Sequence, residues 1–324
     1  TPLYSSAASD VYKRQVDKGI RRAQEEGAQC VIVKLNTHGG LMDSMEKIVE
    51  RLLAARVPVV VYVSPQGAKA DSAGCFITLA AHVAAMAPNT VIGSASVVTM
   101  MPGGGGEGEG GGAAEKNIET MLRKATTHAL SMMKNIAQTR GRNEEWALAT
   151  VTEARSGTAA EALKAGVIDL IANDLNDLLA KLDGRKVKVD GQEVVLATKG
   201  AVVREVPMSA AQRVLFAISD INLAYILLFL GVYGLIYEFA NPGAVLPGVV
   251  GAICLALALV SLSNFPISYA GAFLLILGFG LLVADLFVTS HGALTVGGLA
   301  SLLFGSLMLV DESKSMVRVS LGAV

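Results

Sequence analysis

The chain has 324 residues, 52% of them hydrophobic and only 17% charged, with a formal net charge of −1 at pH 7. That balance leaves no basic face for nucleic acid. The three cysteines, Cys30, Cys75 and Cys254, have neither metal-ligand spacing nor an evident pairing, so they read as small buried apolar residues.

Residues 16 to about 210 have the mixed composition of a soluble α/β domain, whereas charges almost vanish from Asn222 onward. Asp10-Val11-Tyr12-Lys13-Arg14-Gln15 matches the translation of a sequencing adaptor, so residues 1–15 are set aside as non-native and the fold is expected to start near Val16. Val16–Glu26 has helical spacing and stops at Gly27. Cys30–Leu35 is a short buried strand, closed by Asn36-Thr37-His38-Gly39-Gly40. Leu41–Ala55 repeats apolar residues at helical spacing, and Val57–Ser64 is a second strand. Gly67–Gly74 then leads into a small-residue apolar run, Phe76–Ala87, read as helix, which puts Ser72 at a strand-to-helix turn. Thr90–Ser94 suggests one more short strand. Strands alternating with helices argue for a mostly parallel sheet.

Gly103–Gly112 has no core-forming residues and reads as a mobile connector; no Gly-Lys-Ser/Thr follows it, so it is not a P-loop. Glu115–Gln138 is a long amphipathic helix with the apolar stripe Ile118, Met121, Leu122, Ala125, Ala129, Met132, Met133 and Ile136. Lys116 and Lys134 lie opposite the stripe and Lys124 lies at its border. Glu144–Glu153 is a further helix, and Ser156–Asp169 is a short helix and strand with Thr158 and Glu161 spaced as a capping box. Residues 184–221 read as a linker, β-rich over 184–208. Four apolar stretches follow, Asn222–Ala240, Ala244–Ser263, Tyr269–Val288 and Ala293–Val310, each approaching the ~20 residues that cross a bilayer. Val317–Val324 turns apolar again, as if entering a fifth span.

A serine at a helix start faces unpaired amides that stabilise negative charge. It serves either as a nucleophile beside an oxyanion site or as a plain helix cap. A Ser-His-Asp arrangement needs a nearby histidine, but His82 is read as lying ten residues along the same helix. His38 is in the Gly-Gly loop, His128 on the long helix and His291 in a turn between apolar stretches. A desolvated lysine can replace histidine, and Lys124 meets that requirement better than the others. Gly39 and Gly40 either form a tight turn or bring amides against a carbonyl oxygen.

Thr37-His38-Gly39-Gly40, Val59–Val63, Lys69–Gly74 and Ala80–Ile92, with Leu163–Ala172 and the four C-terminal stretches, resemble the NfeD family of membrane-bound serine proteases. The resemblance implies an α/β Clp protease/crotonase-like domain over 16–183 and an all-α membrane domain of at least four transmembrane helices over 222–324. It implies a Ser-Lys dyad of Ser72 and Lys124, the lysine lying ahead of the matching stretches Met133–Ala137 and Arg140–Asn143. Gly39, Gly40 and Ala73 are the oxyanion-hole candidates, with no cofactor and no metal. It further implies a polypeptide substrate drawn from stomatin-like membrane proteins, contact with membrane lipid, and a homodimer or higher assembly. The resemblance also implies a multi-pass cell-membrane protein with an extracytoplasmic protease domain, although Arg213, Lys314 and Arg318 beside the spans favour the opposite orientation.

Two positions depart from the family pattern: His38 stands where proline is usual, and Asp71 where a small residue is usual. Asp71 either pairs with Lys124 and keeps it protonated, or points away and caps the helix. Two rival classes are a catalytically silent scaffold for stomatin-like partners and a crotonase-type acyl-CoA enzyme on the related fold.

Overall fold

The computed structural model describes residues 6–97, 112–218, 220–241, 243, 245–262, 268–285, 287–288 and 291–309. They form two compact units, one of described residues 9–97 and 112–208, the other of 6–8 and the described residues within 209–309.

The first unit starts at Ser9 within α1 (Ser6–Glu25) and goes on through β1 (Val31–Leu35), α2 (Met42–Leu53), β2 (Val59–Val63), β3 (Lys69–Asp71) and α3 (Ala73–Ala80). It continues with β4 (Val83–Met86), β5 (Val91–Gly93), α4 (Gly112–Arg140), α5 (Glu144–Thr152) and β6 (Ser156–Thr158). Next come α6 (Ala159–Lys164), β7 (Leu170–Ile171), α7 (Leu175–Leu182) and the hairpin β8 (Lys186–Val189) and β9 (Gln192–Val195). The main sheet has the order β1-β2-β4-β7 and is parallel throughout, with Val31 opposite Val59, Val60 opposite Val83 and Ala85 opposite Leu170. Every residue of β2 is buried, as a parallel strand covered on both faces requires, and its β-branched valines suit the pleat. Alternate β2 residues serve two cores. Val59, Val61 and Val63 join the larger cluster with residues of α2, α3 and α4, while Val60 and Tyr62 pack with Leu178, Leu182, Val187 and Val189. The hairpin expected within a linker therefore shares the second core. A smaller sheet, β3-β5-β6, is tied to the end of β1 by a bridge between Thr37 and Ala70.

Several elements differ from expectation. The run 76–87 is not one helix: α3 stops at Ala80 and Val83–Met86 is a central strand. Residues buried on all sides carry neither helical nor alternating periodicity, so the boundary was invisible. His82 accordingly sits in the turn before β4. The three-residue β3 and the helix α7, capped by Asp174 accepting from the Asp177 amide, were not anticipated. Helix α1 runs unbroken through Ser6–Gln15, the segment set aside as non-native, and Val11 is 2% exposed. Expected features at 103–111 and Val317–Val324 lie outside the described residues.

The second unit contains α8 (Ala210–Ile218), α9 (Ile221–Ala240), α10 (Leu246–Leu262), α11 (Tyr269–Asp285) and α12 (Ala293–Leu309). At 20 residues, α9 is long and apolar enough to cross a membrane; α10, α11 and α12 are apolar but have 17 residues each. Helices α9 and α10 pack backbone to backbone: a methyl group added at Gly251 would lie 2.9 Å from Gly231 O and 3.0 Å from Gly234 Cα. Such approach through small residues is how apolar helices associate where burial from water gives no drive.

Candidate active site

Ser72 links β3 to α3 with φ 51° and ψ −116°, a backbone region that non-glycine residues enter at a cost of about 1–3 kcal/mol. The surroundings hold it there. Asp71 pairs with Gly93 across β3 and β5, and the Ser72 amide donates to Gly93 O at 3.0 Å. On the other side the Asp71 amide donates to Thr37 O at 3.1 Å. All eight residues of α3 are buried, so the helix start cannot drift. Ser72 occupies the N-cap position, yet its hydroxyl accepts no cap hydrogen bond; the side chain of this half-buried residue is not committed to capping.

The Thr37–Gly40 loop is fixed to the same strand. Thr37 N donates to Lys69 O at 2.7 Å, and Thr37 Oγ1 donates to Gly39 O at 2.6 Å while accepting from Gly39 N at 3.0 Å. Gly39 has φ 144°, a conformation that favours glycine. Its amide is thus occupied within the loop. The amides of Gly40 and of Ala73, the residue after Ser72, donate to no acceptor among the described residues.

Lys124 is exposed in the first half of α4 and makes no hydrogen bond or ion pair among the described residues; no hydrogen bond joins it to Ser72. It borders an open hollow of about 380 Å³ lined by Arg123, Lys124, Thr127, His128 and Ser131, all on α4, and Ser72 does not line it. The apolar stripe of α4 is packed only in its second half, where Ala129, Met133 and Ile136 are buried, whereas Met121 is 67% exposed. His128 meets Glu46 of α2 at 3.0 Å.

Asp71 takes neither role expected of it. Its Oδ2 lies 3.8 Å from Nδ1 of His38, so the two departures from the family pattern meet each other. Burial raises the Asp71 pKa above the usual carboxylate range, with Lys69 and His38 pulling it back. Burial also pushes the Cys75 thiol up to about 12, which keeps it a protonated core residue rather than a competing nucleophile. His82 falls to about 4 through burial and the neighbouring Arg140, and its Nδ1 accepts from Val59 N at 3.2 Å; it is neutral and occupied. Among the described residues no three His, Cys, Asp or Glu side chains gather as metal ligands. Arg140 and Arg142, noted in sequence only as part of a matching stretch, reach the far end of α3 and grip its carbonyls. The legible signal for them was a pair of cations flanking a glycine at the end of a long helix.

A strained serine opening a buried helix, set on a parallel α/β sheet with free amides before it, is followed here by a unit of apolar helices. The NfeD1b N-terminal domain model matches residues 7–192, and the NfeD integral membrane domain model matches residues 222–324. The chain belongs to the NfeD family, and its C-terminal part places it in a membrane. It is 36% identical, over 91% of its length, to the membrane-bound protease PH1510 of Pyrococcus horikoshii, and 27% identical, over 94%, to the membrane protein NfeD1b of Bacillus subtilis. The chain spans 65% of the length of each of these relatives. Its fold matches the 1510-N membrane-bound stomatin-specific protease, solved as a lysine-to-alanine variant with a substrate peptide, with TM-score 0.54 and 35% identity over 64% of this chain and 91% of that one. A serine-to-alanine variant of 1510-N matches equally, with TM-score 0.54.

Proposed function

We propose that this chain is a membrane-bound serine endopeptidase that works through a Ser72–Lys124 dyad on a Clp protease-like domain. The observation that carries the reading is the backbone of Ser72, held at φ 51° and ψ −116° with its hydroxyl uncommitted. Strain of this kind persists where it presents a nucleophile at a strand-to-helix turn. Ser72 Oγ attacks the scissile carbonyl carbon as Lys124 Nζ, acting as the base, takes its proton, and the amides of Gly40 and Ala73 donate to the oxyanion. Gly39 shapes the loop, its own amide being held by Thr37. Lys124 passes the proton to the leaving amine, and water then attacks the acyl-enzyme with Lys124 as base. These steps require Nζ within about 2.6–3.2 Å of Oγ, which the exposed first half of α4 reaches by closing over Ser72 when substrate binds. The name of PH1510, the lysine variant of 1510-N solved with a substrate peptide and the serine variant of the same protease support this assignment.

The substrates are apolar segments of stomatin-like membrane proteins, by analogy with the specificity stated for 1510-N. The apolar helices form four spans in the cell membrane: 17 residues rise about 26 Å, at the lower limit for crossing. The α/β unit lies on the extracytoplasmic side, and the protein acts as a homodimer or higher assembly. One observation favours the silent scaffold instead, the exposed Lys124 with no bond to Ser72. The deciding experiment is cleavage of an apolar stomatin-like C-terminal peptide by the detergent-solubilised chain. Ser72→Ala and Lys124→Ala should each remove most turnover with unchanged circular dichroism. Full activity in purified Ser72→Ala sinks the protease reading, and a folded chain that cuts neither this peptide nor casein moves the scaffold ahead.

A further inference from the structure

Helix α3 opens at Ser72 and ends, eight residues on, in carbonyls that have no intrahelical partner. Three consecutive ones are each taken by an arginine. Leu79 O accepts from Arg142 Nε at 2.9 Å, Ala80 O from Arg140 Nε at 2.8 Å, and Ala81 O from Arg142 Nη2 at 3.1 Å. The other donors reach neighbouring elements. Arg142 Nη1 donates to Val167 O at 2.9 Å and meets Asp169 Oδ2 at 3.1 Å, while Arg140 Nη2 donates to Leu52 O at 3.1 Å at the end of α2. Asp169 is itself fixed, accepting from Ala84 N at 2.7 Å and pairing with Arg185 at 3.1 Å.

The Arg142 side chain is only 4% exposed. Burial lowers its pKa and Asp169 opposes that shift, so the carboxylate offsets part of the cost of holding a cation at that depth. Burying a cation is costly, and a glycine or water could cap a helix end without it. What the guanidinium adds is a rigid fork that spans several acceptors at fixed angles. Both arginines flank Gly141 (φ 64°) at the end of α4. Lys124 lies 16 residues earlier on that same helix, about 24 Å along its axis. The helix with the proposed base is thus fastened, through its C-terminal end, to the C-terminal end of the helix with the proposed nucleophile.

We propose that Arg140 and Arg142 are positioning residues: they fix α3 along its axis and set the register of α4 on it, so that Lys124 closes on Ser72 in one geometry. The inference rests on the reading of Ser72 as nucleophile. A lysine at either position keeps the charge but reaches one carbonyl instead of two elements, so the register loosens in a variant that folds. Misplacing reacting groups by about 1 Å costs up to about 100-fold in rate.

The test uses the full chain in detergent, with Arg142→Lys, Arg140→Lys and, as control, Arg185→Gln, which touches Asp169 but no α3 carbonyl. Three quantities are measured: kcat and KM on the apolar peptide, the rate at which an alkyl fluorophosphonate labels Ser72, and the thermal midpoint. Arg142→Lys, assayed well below its midpoint, should lose about 10–100-fold in kcat and labelling rate with KM unchanged within twofold; Arg185→Gln should match wild type. A folded Arg142→Lys with wild-type kcat and labelling overturns the proposal. If Arg142→Lys does not fold, Arg140→Lys decides it by the same comparison. A wild-type chain that is never labelled at Ser72 overturns the nucleophile reading itself, an outcome distinct from variants labelled at the wild-type rate.

Discussion

Replacing Gly74 with alanine would place a methyl group 2.6 Å from Thr37 Cγ2, while Ala70 Cβ at 3.5 Å and Leu35 Cδ2 at 3.7 Å stay at ordinary contact. Two carbons rest about 3.5–4.0 Å apart, so Thr37 or the start of α3 must yield by about 1 Å. Thr37 has little freedom to do so: its side chain is bonded to Gly39, its amide to Lys69, and its carbonyl accepts from Asp71. Overpacking of this kind costs about 1–3 kcal/mol, offset by up to about 1 kcal/mol because alanine favours helix over glycine. The sharper test is coupling. Thr37→Ser removes Cγ2 and keeps Oγ1; alone it should cost about 1 kcal/mol for the lost buried methyl. Combined with Gly74→Ala it abolishes the clash, so the double variant should be about 1–2 kcal/mol more stable than the sum of the two predicts. Urea unfolding followed by Trp146 fluorescence suits the measurement, since that is the single tryptophan and it is buried in the α/β unit. Stability changes that add within about 0.5 kcal/mol refute the contact.

Two predictions concern pH. The Asp71 carboxyl has a folded pKa above its ordinary 3.8, so its contribution to stability is present in acid and is lost as pH rises through the folded value. Asp71→Asn should therefore raise the thermal midpoint relative to wild type at pH 7, with the gain fading toward pH 3.8; a constant difference across that range contradicts the burial argument. His82 has the opposite sign, its folded value of about 4 lying below the ordinary 6.5. Its contribution is present above 6.5 and lost as pH falls toward 4. His82→Asn, which keeps an acceptor for Val59 N but does not titrate, should flatten the stability curve across that interval, and an unchanged slope counts against it.

Much of the serine turn was readable locally. The Gly-rich segment before an apolar run put Ser72 at the mouth of a helix, and the spacing of Thr158 and Glu161 announced the capping box that α6 forms. The valines of β2 and the loss of charge after Asn222 were equally direct, because strand preference and avoidance of water belong to each residue wherever the chain takes it. Where α3 gives way to β4 was not readable, since a run of small residues buried on all sides has no exposed face to mark a period. Nor could sequence settle which amide near Ser72 is free: Gly39 and Gly40 are neighbours of identical type, and only the fold of the loop gives Thr37 Oγ1 to the first. Asp71 finds His38 rather than Lys124 because the bridge between Thr37 and Ala70 brings the two loops together. The grip of Arg142 on Leu79 and Ala81 joins residues more than sixty positions apart. Residue chemistry and spacing act over a few positions and determined the turn, the strands and the apolar helices; the partners of Ser72, Asp71 and Arg142 were decided by tertiary packing, because distances between remote residues exist only once the sheet has closed.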